Sequence, residues 1–213
     1  MKDGFKSIGQ IVCPRKDIET NAQKLAFQFL GYLPTRPLAK FSFVETQTPF
    51  LPQLSIYENI MLSAAGFDLH HSQKLDLKEV LERKNHTLLL ELLENLPPPH
   101  EKPSLYEADE IWCYALIQGL LKNHDYLFIQ DDSALLSSER KGLVKKILLQ
   151  RKCLHHLPVL FTQREKGPLF DIIEYKIFLR SHLLELQKID PEDSQKEESK
   201  ERQPLGRSVL RVA

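Results

Sequence analysis

The sequence lacks the features that would indicate nucleic-acid binding, direct membrane insertion or secretion. Its 29 lysine and arginine residues are balanced by 29 aspartate and glutamate residues, and no dense basic stripe attracts nucleic acid or an anionic membrane surface. No apolar run approaches the roughly 18 residues that a membrane span needs. Residues 1–10 contain two lysines but no apolar core, so we expect no signal peptide. We therefore expect no nucleic-acid partner and no direct membrane span, and any membrane connection has to go through a partner.

Metal-binding and hydrolase patterns are also lacking. Three widely spaced cysteines lie outside any CxxC pattern, which fits free thiols in a reducing cytosol: Cys13, Cys113 and Cys153. Adjacent histidines occur at residues 70–71 and 155–156, but two neighbouring histidines cannot easily face one ion from one regular element, so we predict no metal site. Serine, histidine and aspartate occur without a nucleophile elbow, so a hydrolase triad is not supported.

The sequence does contain an alternation of strand and helix patterns. With 213 residues, 42% of them hydrophobic, the chain can bury one sizeable core. Strands are predicted at residues 7–13, 40–45, 126–130 and 157–162, with a closing hairpin around residues 180–181. Strands that alternate with helices predict an α/β fold whose mostly parallel sheet is covered by helices.

Helix signals fill the segments between these strands. Residues 75–96 have the apolar spacing of a single helix that stops at three consecutive prolines. Two capping boxes of the form Ser-x-x-Glu open further helices, and their members are Ser55 with Glu58 and Ser104 with Glu107. The remaining helices are predicted to end at Gly31, to span residues 137–151 and to lie near residues 168–173.

The composition changes at residue 190. Residues 190–203 read DPEDSQKEESKERQ, which is too polar to bury a core, whereas the last nine residues, LGRSVLRVA, regain apolar character. We predict one domain over residues 1–187, with a helical subdomain at about residues 55–122, and a flexible charged tail over residues 188–213. The last nine residues are either a short docking segment or a frayed end.

A long central segment resembles a known ATPase family. Residues 106–131, YEADEIWCYALIQGLLKNHDYLFIQD, align without a gap with LSGGExQRVALARALLxxPxLLLLDE of the ATP-binding-cassette (ABC) ATPases, from the signature to the Walker B strand. Other segments follow in family order: residues 50–62 (FLPQLSIYENIML) resemble the segment after the Q-loop, 133–136 the D-loop, 157–165 the H-loop strand and 171–186 the closing hairpin. The resemblance implies a P-loop NTPase-like fold with an inserted helical subdomain and an N-terminal antiparallel β-subdomain that is reduced or missing.

The residues that hold ATP in this family are largely replaced. A phosphate-binding loop needs glycines whose backbone N–H groups close on the anion, yet residues 14–24, PRKDIETNAQK, contain none. By resemblance, Lys24 is the remnant of the Walker lysine, or else a solvated helix lysine. Gln47 is the remnant of the Q-loop glutamine, and Gln163 takes the place of the H-loop histidine.

The signature and the Walker B corner show similar losses. Three residues replace the signature Ser-Gly-Gly, so that an opposing γ-phosphate would meet two carboxylates: Glu107, Ala108 and Asp109. Gln130 takes the metal-binding aspartate position and Asp131 the catalytic glutamate position, or, with a shift of one residue, Asp131 and Asp132 do. The two aspartates are either a catalytic remnant or turn residues after a buried strand. Because phosphoryl transfer depends on positioning and charge stabilisation, we expect no catalysis and no cofactor, with ATP and Mg²⁺ bound only under the alternative reading.

The resemblance also implies a place in a transporter complex. In the family, the helical subdomain and the Q-loop region form a groove for the membrane permease, and the ATPase domains work in pairs. The groove candidates, most of which are alternatively core residues, are Phe50, Leu51, Leu54, Tyr57, Ile60 and Met61. We expect a non-catalytic, cytoplasmic subunit held at the inner face of the membrane by a transmembrane permease subunit, with or without a second ABC-type ATPase subunit. The alternatives are a divergent active ATPase that energises an ABC transporter and a soluble adaptor that reuses the fold.

Overall fold

A mostly parallel sheet forms the centre of the fold. The computed structural model describes residues 8–12, 27, 29–31, 40–45, 50–64, 76–122, 125–130, 133–155, 159–161, 169–180 and 183–189. Within these residues the sheet has six strands: β1 Ile8–Val12, β2 Phe41–Val44, β3 Tyr126–Ile129, β4 Val159–Phe161, β5 Tyr175–Arg180 and β6 Leu183–Lys188. Their order is β2-β3-β4-β1-β5-β6. The first five are parallel and β6 pairs antiparallel with β5, which confirms the predicted α/β fold and the closing hairpin.

Helices connect most of these strands. In the described ranges they are α1 Ile56–Ala64, α2 Leu77–Arg83, α3 Thr87–Glu94, α4 Ala108–Leu121 and α5 Ser138–His155, with 3₁₀ turns at Pro103–Leu105, Ser133–Leu135 and Phe170–Ile172. Residues 27 and 29–31 are also helical. Helices α1 to α4 lie in the chain between β2 and β3, and α5 connects β3 to β4. None of the helices in the described ranges has the length and hydrophobicity needed to cross a membrane.

Helix α4 approaches the sheet closely. Nine of its fourteen residues, 112–117 and 119–121, are buried. A Cβ atom at Gly119 would lie 3.1 Å from Leu127 Cδ1 of β3 and 3.4 Å from Val44 Cγ2 of β2. The absence of a side chain at residue 119 therefore permits this close contact. Because α1 and α3 also pack on α4, the helices and the sheet share one hydrophobic core.

The helix predicted over residues 75–96 is wrong, because two helices occupy this segment. Asn85 has a φ of 54°, the left-handed conformation that asparagine tolerates better than most residues, and it separates α2 from α3. The capping box predicted at Ser104 and Glu107 is also wrong. Ser104 lies in the 3₁₀ turn, and α4 begins at Ala108 with Glu107 as its N-cap. Hydrophobic spacing had indicated both helical segments correctly but not their ends.

The sheet extends slightly past the predicted end of the domain. Strand β6 ends at Lys188, and the backbone N–H of Ile189 donates a hydrogen bond of 2.8 Å to Glu174 O. Ile189 is half-buried against the core. The folded unit therefore includes residue 189, two residues beyond the predicted boundary at residue 187.

Candidate functional site

The carboxyl ends of the parallel strands lie at one edge of the sheet, where β4 stands between β3 and β1. In open α/β sheets, ligands bind outside the carboxyl ends of the strands. Five of the predicted nucleotide-site residues follow β1, β2, β3 or β4 in the chain, but they lie outside the described residues: Lys24, Gln47, Asp131, Asp132 and Gln163. The topology therefore brings to one edge the ends of the strands that precede them in the chain.

Gln130 lies at this edge, directly after β3. Its backbone N–H donates to Val44 O at 2.8 Å, and its carbonyl accepts a hydrogen bond of 3.0 Å from Trp112 Nε1 of α4. These two bonds fix the backbone of residue 130 between β2 and α4. The side chain at this position is a neutral amide, which lacks the carboxylate oxygens through which proteins usually bind Mg²⁺.

The start of α4 is capped by its own carboxylates. Glu107 is the N-cap residue and forms a capping box with Glu110, whose Oε2 accepts a hydrogen bond of 2.9 Å from Glu107 N. Glu107 and Ala108 are exposed. The N-terminus of a helix attracts anions through its unpaired N–H groups and its dipole. Because the carboxylates of Glu107 and Glu110 already cap the first turn, they satisfy that attraction and repel a further anion such as a phosphate.

Asp109 is held by an arginine of α5. Arg140 Nη1 lies 2.5 Å from Asp109 Oδ2, and Arg140 Nη2 donates a hydrogen bond of 2.8 Å to Asn95 O, at the end of α3. The side chains of Arg140 and Asp109 are only 21% and 23% exposed, so the pair is largely shielded from water. The guanidinium thus joins three helices and neutralises Asp109.

The titratable groups on the buried side of α4 are neutral. Burial raises the pKa of the Cys113 thiol to about 12. Burial also raises the pKa of Tyr114, whose hydroxyl donates to Pro97 O. A thiol that stays protonated at neutral pH is not a nucleophile. Among the described residues, no group of three or more histidine, cysteine, aspartate or glutamate side chains is placed to hold a metal ion.

The capping box predicted at the start of α1 is confirmed. Ser55 N donates to Glu58 Oε2 at 2.7 Å, and Glu58 N donates to Ser55 Oγ at 3.2 Å. The hydrogen bonds from the backbone and side chain of Ser55 lower the pKa of Glu58. The two residues therefore hold the turn between the loop at residues 51–55 and α1.

The same loop is fixed by the buried side chain of Asn59. Its Nδ2 lies 2.9 Å from Ser55 O and 3.1 Å from Leu51 O, and its Oδ1 accepts a hydrogen bond of 2.7 Å from Leu51 N. Asn59 is thus a positioning residue for the loop that carries Leu51 and Leu54. The role of Asn59 was not predicted from the sequence, although Asn59 lies in the segment FLPQLSIYENIML. The available signal was a polar amide one turn into a helix, next to the buried Ile60.

The six predicted partner-facing residues have unequal exposure. Phe50, Ile60 and Met61 are buried in the core, which is the alternative role that the sequence left open for them. Leu51 is 42% exposed, and Leu54 and Tyr57 are half-buried. The ring of Tyr57 lies 5.9 Å from that of exposed His100. An accessible strip, which we define as Leu51, Leu54 and Tyr57, therefore remains at this end of α1.

The architecture matches that of solved ABC cassettes. The dimeric structure of MJ0796, described as a bacterial ABC transporter cassette, has a TM-score of 0.60 to this chain, with 16% identity over 88% of this chain and 87% of that chain. The chain has the fold of an ABC cassette. The cassette MJ0796 in a post-hydrolysis state, bound to ADP and Pi, has a TM-score of 0.56 with 15% identity over the same shares. An inward-facing transporter of the metal-chelate ABC type has a TM-score of 0.54 with 11% identity, over 86% of this chain and 72% of that chain. No family model and no curated protein matches the sequence.

Proposed function

We propose that the chain is a non-catalytic, ABC-type nucleotide-binding-domain subunit of a membrane transporter complex. It acts as a structural or regulatory partner of a permease, of an active ATPase subunit, or of both. The main support for the proposal comes from the start of α4. There Glu110 accepts a hydrogen bond from the Glu107 amide, and Arg140 forms an ion pair with Asp109. An ABC-type site needs free N–H groups and a hydroxyl at this position, and here carboxylates take their place.

The sequence after β1 and after β3 also supports a non-catalytic role. Residues 14–24, which follow β1, contain no glycine, so their backbone cannot close on a triphosphate as a P-loop does. Gln130 presents an amide next to β3 instead of a carboxylate. Since phosphoryl transfer depends almost wholly on positioning and charge stabilisation, the combined losses abolish it in this proposal.

The proposed permease contact is the strip formed by Leu51, Leu54 and Tyr57. Hydrogen bonds from Asn59 and the Ser55–Glu58 capping box hold the loop that bears Leu51 and Leu54. Because a pre-formed loop loses little conformational entropy on binding, an apolar strip of this kind is suited to receive a partner helix. Through this contact the chain would lie at the cytoplasmic face of the membrane, with pairing to a second cassette as in the MJ0796 dimer.

The nucleotide arm of the proposal is tested by equilibrium dialysis of the full chain against radiolabelled MgATP, up to millimolar concentration. We expect no binding above that of a Lys24→Ala variant, and no ATP turnover. A micromolar affinity that Lys24→Ala removes would overturn the proposal. Turnover that Asp131→Asn abolishes would identify the chain as a divergent active ATPase instead.

The partner arm is tested by affinity purification from detergent-solubilised membranes. We expect a transmembrane protein to co-purify with the full chain and to be lost with Leu51→Asp. Leu149→Asp is the matched control, because Leu149 lies on α5 and is also 42% exposed. Recovery of soluble proteins alone would favour the adaptor reading, and equal loss with both variants would remove the strip as the contact.

A further inference from the structure

Two exposed leucines, to which the proposed function assigns no role, lie near the starts of α4 and α5. Leu105 is 69% exposed in the 3₁₀ turn before α4, and Leu135 is 54% exposed in the 3₁₀ turn before α5. The ion pair between Asp109 and Arg140 brings the starts of these two helices together, and the turn at residues 133–135 packs against α4. We define residues 101–110 and 133–141 as the two-leucine surface. Adjoining exposed apolar side chains can form an interaction site, whereas single ones need no explanation.

The two-leucine surface has an excess of negative charge. It contains five acidic and three basic residues. Asp109 and Arg140 neutralise each other, whereas Glu101, Glu107 and Glu139 are exposed, together with the cation Lys102. A complementary occupant therefore needs apolar side chains and at least two positive charges without acidic ones.

The last nine residues of the sequence have this composition. Residues 205–213, LGRSVLRVA, contain Arg207 and Arg211, no acidic residue, and an apolar set made of Leu205, Val209, Leu210, Val212 and Ala213. The stretch before them is different, since residues 190–204 contain six acidic and three basic residues. The basic apolar segment is thus separated from the sheet by a polar linker that repels the same surface.

The linker is long enough for the segment to reach the surface. Fifteen residues lie between Ile189, which is bonded to the sheet, and Leu205. An extended chain of that length spans at most about 50 Å. A domain of this size has a radius of gyration of about 16 Å, so a linker of that length can extend over much of the surface.

We propose that residues 205–213 dock, within the same chain, on the two-leucine surface. In this arrangement the two exposed leucines, Leu105 and Leu135, are covered by apolar side chains of the segment, which are Leu205, Val209 or Leu210. The two arginines of the segment, Arg207 and Arg211, pair with the exposed carboxylates of the surface. The docked segment covers the start of α4, so it competes with any second protein that binds there. This inference is independent of the proposed function, because it requires neither the loss of nucleotide binding nor a permease.

Photo-cross-linking in the full chain tests the docking. The photoreactive residue p-benzoylphenylalanine replaces Leu105, the protein is irradiated at low concentration, and cross-linked peptides are identified by mass spectrometry. We expect cross-links to residues 205–213 in a product of monomer mass. The same photoreactive residue at Leu149 is the control and gives no such cross-link. Cross-links only to other parts of the chain, or a product of dimer mass, would overturn docking within one chain.

Charge reversal tests the recognition chemistry. Arg207→Glu with Arg211→Glu should lower the cross-link yield about fivefold, the effect of two exposed ion pairs. Adding Glu101→Lys and Glu139→Lys to that protein should restore most of the yield, whereas a merely apolar contact would show no rescue. Glu101 and Glu139 are exposed, so these changes leave the core intact. Unchanged yield after reversal of both arginines would contradict the proposed charge pairing.

Discussion

Replacement of Asn59 by alanine tests the hydrogen-bond network that fixes the loop at residues 51–55. The Asn59 side chain is 4% exposed and makes three bonds of good length, to Ser55 O, to Leu51 O and from Leu51 N. At about 1 kcal/mol net for each bond, their loss costs about 3 kcal/mol. The higher helix propensity of alanine offsets about 0.6 kcal/mol of this. We therefore expect Asn59→Ala to lower the free energy of unfolding by about 2 kcal/mol.

Urea unfolding followed by tryptophan fluorescence measures this change. Trp112 is the sole tryptophan and is fully buried, so its emission reports on the core. With an m-value of about 3 kcal/mol/M, the unfolding midpoint should fall by roughly 0.7 M. The matched control is Asn95→Ala, since the exposed Asn95 side chain makes one bond of 2.9 Å to Glu91 O. For this control we expect a change within about 0.5 kcal/mol.

An Asn59→Asp variant distinguishes the lost donors from a change of volume. Aspartate keeps an acceptor for Leu51 N but places a carboxylate against the carbonyls of Leu51 and Ser55. Burial and these carbonyls raise the pKa of the introduced carboxyl, so stability should be lost as the pH rises through that pKa and regained on acidification. If Asn59→Ala unfolds at the midpoint of the wild-type chain, the network does not fix the loop and the argument for a pre-formed strip is refuted.

Four further predictions concern α4 and α5. Arg140→Ala should lower the free energy of unfolding by about 2 kcal/mol in urea titrations, because it leaves the shielded carboxylate of Asp109 unpaired. The control is Lys78→Ala, which breaks an exposed ion pair with Glu94 and should give no resolvable shift of the unfolding midpoint. Gly119→Val should destabilise by about 2 kcal/mol through overpacking against β2 and β3. Gly142→Ala should stabilise by about 0.8 kcal/mol, since nothing lies within 4 Å of the added Cβ. Burial raises the pKa of Cys113 from 9.0 to about 12 in the folded state, so its contribution to stability is lost as the pH rises above 9. From pH 8 to pH 10 this contribution should fall by about 1 kcal/mol, and Cys113→Ala should reduce the slope by that amount and leave the part due to the raised pKa of Tyr114.

The strands could be predicted from sequence because local patterns determine them. The alternating pattern at residues 40–45 and the apolar run at residues 126–130 were sufficient to locate β2 and β3, and the Ser55–Glu58 capping box located the start of α1. Each of these signals depends only on residues that belong to the same helical turn or the same strand, so it can be recognised from the local sequence. The resemblance to ABC ATPases then supplied the order of the elements, which the sheet topology bears out.

The missed features depend on conformation or on distant residues. A single left-handed residue, Asn85, divides a segment whose apolar spacing is continuous, and periodicity carries no information about it. The start of α4 was placed too early because Ser104 matched the preferred cap, whereas the observed cap is Glu107. The ion pair between Asp109 and Arg140 joins residues that are 31 apart in sequence, so local sequence patterns cannot predict it.

The two proposals meet at the start of α4 and share Glu107, but different experiments test them, so each can fail alone. The loss of catalysis depends on Glu107, Asp109 and a loop without glycine, whereas tail docking depends on Leu105, Leu135 and the exposed carboxylates. MgATP binding would overturn the first and leave the cross-link from residue 105 unchanged; a missing cross-link would leave the dialysis result unchanged. If both hold, residues 205–213 cover the helix start that an opposing cassette would face. Partner binding at α4 and the cross-link to residues 205–213 should then be mutually exclusive, because one surface cannot hold both.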